Sequence, residues 1–118
     1  MKRAMPIALL VLAFSSDQPD GDVADRLILR VPLDATGRIV DSEYRSGEQL
    51  WRFDRELPDG SSTTGDLAPA EEGWMLRTMY SNEAASLAGT IIRPGEYLTL
   101  KIPPAPERVY RVVSVSQD

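Results

Sequence analysis

A chain of 118 residues with neither histidine nor cysteine has few side chains able to make or break a bond. It lacks the commonest general base, any Ser-His-Asp triad, thiolate zinc sites and thiol nucleophiles. What remains for covalent chemistry is a serine activated by a desolvated lysine. Lys101 is the single lysine after Ser15, and Ser86 precedes it by half the length of a hairpin. Carboxylates are plentiful, and Glu43, Asp54, Glu56, Asp59, Asp66, Glu71 and Glu72 could in principle supply an acid-base pair for glycoside hydrolysis. Nothing in their spacing singles out two of them, so they are expected to be solvated surface charge. Asp17, Asp20, Asp22 and Asp25 surround Gly21 and could offer oxygen ligands to calcium. Their spacing lacks the register and terminal glutamate of an EF-hand loop, and the stretch reads first as a solvated linker. The expectation is therefore no metal and no cofactor, with this aspartate set as the alternative.

The run Ser86-Leu87-Ala88-Gly89-Thr90, followed by Pro94-Gly95-Glu96-Tyr97-Leu98, is similar to the nucleophile region of signal-peptidase-like serine peptidases. In that family a serine precedes a proline-threonine pair and a strand that opens on glycine and an acid. The resemblance covers about a dozen residues and implies Ser86 as nucleophile and Lys101 as its base. Gly89 stands where the family has proline, and one residue is inserted before Gly95.

Aromatic side chains supply the other route to function, which is contact. Trp51, Trp74 and Tyr97 are the candidates for a surface that stacks on a sugar or a peptide. Arg30, Arg77 and Arg111 alternate with apolar residues and belong on a wet sheet face.

Composition is that of an ordinary single globular domain, 42% hydrophobic and 26% charged. The N-terminus has the three parts of a secretory signal. Lys2 and Arg3 give a basic start, Ile7 to Phe14 an apolar run, and Ala13-Phe14-Ser15 a small-residue cleavage site. The run is too short to span a bilayer. Cleavage after Ser15 would carry away two basic and no acidic residues, leaving a formal charge of −7 in place of −5. Such a charge disfavours nucleic acid and anionic membranes as partners. The competing reading makes IALLVLAF the buried first strand of a cytosolic protein.

The elements that must position these residues are mostly strands. Tyr97 to Ile102 alternates behind the turn Arg93-Pro94-Gly95-Glu96, with Leu98, Leu100 and Ile102 on one face. Pro103, Pro104 and Pro106 interrupt the ladder before Val109 to Val115 returns, and these two strands should pair antiparallel. Arg26 to Leu33 is a further strand, Asp34-Ala35-Thr36-Gly37 a turn, and Arg38 to Tyr44 its return. Trp74 to Tyr80 alternates again. Ser46 to Leu57 fits either a capped helix or a strand with Trp51, Phe53, Arg55 and Leu57 on one side, with composition leaning to helix. Pro58 to Gly73 reads as a long loop, and Glu83 to Ala88 as one helical turn.

Together these features predict a small antiparallel β-sandwich or partly open β-barrel with one or two short helices. Residues 1–15 would be a signal peptide, 16–25 an acidic linker and 26–118 the domain. The expected function is a secreted or periplasmic, non-catalytic binding or assembly module for a protein or glycan partner, with an exposed edge strand as one docking mode. The alternatives are a Ser86–Lys101 hydrolase and a cytosolic structural subunit.

Overall fold

The computed structural model describes residues 6–40, 51–70, 73–78, 84–88, 91–101 and 107–116. Eight strands follow one another in a meander: β1 (Ile7–Ser15), β2 (Asp22–Arg30), β3 (Arg52–Glu56), β4 (Ser62–Ala70), β5 (Gly73–Thr78), β6 (Ala84–Ala88), β7 (Tyr97–Lys101) and β8 (Arg108–Ser116). Each pairs antiparallel with its sequence neighbours, and β1 also pairs with β8, which closes the sheet into a barrel. The expected pairing of the last two strands is present. The expected short helices are not: among the described residues there is no helix.

β1 explains the longest apolar run in the chain. Ala8, Leu10 and Leu12 point into the barrel and are buried. Val11 faces outward yet is only 8% exposed. Its register partners on both sides are arginines, Arg26 and Arg111, whose methylene stems can lie along it. The stretch read as the apolar core of a leader is thus a strand with ladder partners on both edges. Bulges in β1 after Leu9, Val11 and Leu12 supply the extra twist a closed sheet needs.

Two expected elements are corrected. The helix read over Ser46–Leu57 is strand β3 where it is described, because Trp51 and Phe53 alternate into the core and are buried; residues 46–50 lie outside the described residues. The helical turn read over Glu83–Ala88 is strand β6, held between β5 and β7. The loop read from Pro58 to Gly73 is largely β4, whose small polar residues complete a ladder between β3 and β5. Gly65 is what makes β4 fit. A Cβ there would meet the Arg77 carbonyl and, at 2.7 Å, the ring of Phe53, its cross-strand partner. The bare backbone leaves room for that ring.

The two ends of the barrel are sealed differently. At one end residues 31–40 fold over the opening, with Val31 buried and Leu33 and Ile39 packed on the core. Asp34 Oδ1 accepts from the Thr36 amide at 2.8 Å, the Thr36 hydroxyl at 2.6 Å and the Arg38 amide at 3.1 Å, forming the expected turn. Those bonds, the Thr36 hydroxyl first, hold the Asp34 carboxyl below its ordinary pKa of 3.8. Gly37, at φ 87°, passes so close to Ile92 that its carbonyl takes the Ile92 amide at 2.6 Å. Trp51 and Trp74, with ring centroids 4.9 Å apart, sit beneath this apolar plug. The opposite end is polar.

Two outcomes follow. Removing residues 1–15 deletes both ladders of β1, so the truncated chain should lose the cooperative thermal transition and the near-ultraviolet circular dichroism of the full chain. Gly65→Ala should destabilise by about 1–3 kcal/mol in urea unfolding, because the inserted methyl must part β4 from β5 or displace Phe53.

Candidate functional site

The polar end is built around one carboxylate. Asp25 lies on the inward face of β2, two residues before Leu27, and is 2% exposed. Burying a charge there without partners would be prohibitive. Three side chains from two other strands supply them. The Tyr110 hydroxyl of β8 donates to Oδ1 at 2.8 Å. Arg55 of β3 donates through Nε to Oδ1 at 3.4 Å and through Nη2 to Oδ2 at 3.2 Å. Arg108 of β8 reaches Oδ2 at 3.4 Å. Among the described residues no buried side-chain polar atom lacks a hydrogen-bond partner.

The electrostatics favour the neutral phenol of Tyr110 and the charged guanidinium of Arg55. Burial pushes the Tyr110 phenol well above its ordinary 10.0, so it remains the donor. Desolvation acts to lower the pKa of Arg55, but its hydrogen bond to Asp25 and the neighbouring negative charge win, and the net direction is upward. One turn of chain away, the buried Ser15 hydroxyl donates to Asp17 and its oxygen accepts the Gln18 amide at 3.1 Å. The serine bond is the main reason the Asp17 carboxyl lies below its ordinary range. Arg108 bridges the two groups, 3.8 Å from Asp17 Oδ2.

Beside this cluster, on the outside of the same end, lies an open groove of about 390 Å³. Ala24 and Arg26 of β2, Glu56 of β3, Leu57, Gly60 and Ser62 line it. Gly60, at φ 90°, lets the turn between β3 and β4 curl back, and Asp59 caps that turn by accepting the Ser61 amide at 2.8 Å. The groove therefore offers a guanidinium, a carboxylate and an apolar side chain in one concavity.

The residues singled out in the sequence are distributed otherwise. Trp51 and Trp74 are interior and buried, so they fill the core instead of forming a contact surface with Tyr97, which is 58% exposed on β7. Ser86 and Lys101 do come together in register, as direct partners across β6 and β7. Lys101, however, is half exposed and ion-paired with Glu107 at 3.7 Å, so the desolvation that a lysine base needs is not supplied. The aspartates proposed for calcium are separately engaged: Asp17 with Ser15, Asp22 with the Ala24 amide at 2.9 Å, and Asp25 with its arginines, while Asp20 is exposed. Among the described residues no group of three or more acids converges as a metal site. Of the other carboxylates, Asp66 is held by Arg77 at 3.0 Å, and Glu43, Glu71 and Glu72 lie outside the described residues. Among the described residues every strand has two partners, so none of these strands is the edge expected for β-augmentation.

Asp25→Ala should cost about 3–5 kcal/mol of stability, because it strands two arginines at the barrel end. Tyr110→Phe should cost about 1–2 kcal/mol, since the arginines still satisfy the carboxylate. Chemical denaturation of the two variants checks the order. A raised phenol pKa favours the neutral form, so its contribution is complete below the ordinary value of 10.0 and is lost as pH climbs through the folded value. In an ultraviolet alkaline titration, one of the four tyrosines should ionise last, together with unfolding, and that component should vanish in Tyr110→Phe.

Comparison of the chain with family models, with curated proteins and with solved structures gave no match.

Proposed function

We propose that the protein is a non-catalytic binding or assembly module that works by its outer surface. The observation that carries this reading is the way Asp25, Arg55, Arg108 and Tyr110 consume one another's hydrogen-bonding capacity at the polar end. Groups tied up in this way are not free to attack or to shuttle protons. The barrel interior is filled by side chains from all around the sheet, as an eight-stranded barrel allows, and leaves recognition to the exterior. In this reading residues 7–15 stay with the working protein as β1 and are not removed as a leader.

The groove between the ends of β2 and β3 is the first recognition element. Its volume suits a short peptide segment or one or two sugar units. Arg26 and Glu56 on its walls select ligands that carry both an acceptor and a donor. Arrays of defined peptides and glycans probed with labelled protein test this. Binding should appear for such ligands and disappear for Ala24→Trp, which fills the groove while leaving the cooperative thermal transition intact. Turnover of ester or peptide substrates that Ser86→Ala abolishes would replace the binding reading with the hydrolytic one.

A further inference from the structure

Basic side chains on this barrel fall into two populations. Among the described residues, Arg55, Arg77, Arg93, Lys101 and Arg108 each have a carboxylate within ion-pair distance. Among the described residues no carboxylate lies within ion-pair distance of Arg26, Arg30, Arg38, Arg52 or Arg111. Arg38 belongs to the turn at the apolar end, and the other four stand on the outer wall formed by β8, β1, β2 and β3, where Glu56 is the cross-strand neighbour of Arg26 and Arg26 Nε donates to the Val23 carbonyl at 3.2 Å. Arg111 and Arg26 flank Val11 from either side. Arg30 and Arg52 are direct register partners, and like charges placed opposite each other destabilise a sheet. The next residue in that row, Asp66, could relieve them but is already held by Arg77 in two bonds of 3.0 and 3.2 Å. On a chain of formal charge −5, four of the five arginines that lack an ion-pair partner among the described residues are thereby gathered on one face.

The same wall is apolar along its centre. Leu9 and Ile28, register partners, are half-buried between the arginine rows, and Ile7 is half-buried beside Arg30. Phe14, at 50%, and Val113, at 40%, are exposed beside them. Arg26 and Arg30 are four residues apart on one strand, which at about 3.3 Å per residue separates them by about 13 Å.

We propose that this wall docks an extended segment of a partner protein in which two acidic residues four positions apart bracket an apolar one. The acids would answer the two arginine rows and the apolar side chain the strip between them. Charge complementarity favours a protein over a polyphosphate, because Asp54 and Glu56 stand within the wall on β3, in register with Ile28 and Arg26, and would repel a continuous line of phosphates. The inference rests on the binding-module reading and extends it from the groove to the adjoining wall, which shares Arg26 and Glu56 with it; the test turns on Arg30 and Arg52, which do not line the groove.

A fluorescent peptide with the core Glu-Thr-Leu-Thr-Glu, capped at both ends, provides the probe, with fluorescence anisotropy as the readout. Binding should weaken as salt rises, and a peptide with lysines in place of the glutamates should not bind. Arg30→Glu with Arg52→Glu should lower affinity by more than about tenfold. Lys101→Gln on β7, outside the wall, should not. Should the double reversal disturb folding, as judged from the near-ultraviolet signal of Trp51 and Trp74, the pair Arg30→Gln and Arg52→Gln provides the same comparison without added charge. No peptide binding at millimolar concentration, equal affinity for the lysine peptide, or unchanged affinity in the double variant would overturn the proposal. Co-sedimentation with phosphatidylserine vesicles in the absence of peptide binding would also overturn it, in favour of a lipid surface.

Discussion

Pairing of the first strand with the last is the constraint from which the rest of this architecture follows. Once β1 lies against β8, the sheet has a closed interior and no free edge. The interior must be filled, and Leu10, Leu27, Leu29, Leu67, Leu98, Leu100 and Val112 fill it. The ends must be stoppered, one by the excursion of residues 31–40 and the other by the partners of Asp25. The interior is apolar while Arg26, Arg30, Arg52 and Asp66 stand outside, which is the reverse of the polarity of a barrel that spans a lipid bilayer.

The polar stopper shows how a charge can be tolerated at the mouth of a hydrophobic core. A carboxylate with a tyrosine and two arginines in attendance is a weak source of net stability. Its value lies in geometry, because β2, β3 and β8 must each arrive in one register for those contacts to form. A slip of one residue would send Asp25 outside and bring Ala24 or Arg26, neither an anion, to face two guanidiniums.

Strands with strict alternation were legible from sequence. Tyr97 to Lys101 announced itself by Leu98 and Leu100, and by the turn at Pro94-Gly95, where Gly95 does take a φ of 91°. β4 was not legible, because serine, threonine and glycine mark loops unless a ladder on each side recruits them. β3 was misread because Glu, Gln, Leu and Arg favour helices locally, while the burial that overrode them comes from distant strands. The role of Asp25 was hidden for the same reason. Its partners Arg55, Arg108 and Tyr110 are 30, 83 and 85 residues away, and no local spacing records such a meeting. The run Ile7 to Phe14 carried a true signal of burial, since its inward residues fill the core and Val11 on its outward side is nearly buried too, but a barrel strand and a leader's apolar core look alike in one dimension.

The same closure sets the order in which the chain can mature. Ser116 donates to the Ile7 carbonyl across 109 residues of sequence, so one edge of the first strand to leave the ribosome waits for nearly the last. Such a distant contact slows folding, since the entropy of a very long loop is surrendered before any ladder bond rewards it. Until then IALLVLAF presents an unpaired, uncharged, β-prone edge in the nascent chain. Its safe passage depends on how quickly synthesis finishes relative to encounters with other copies.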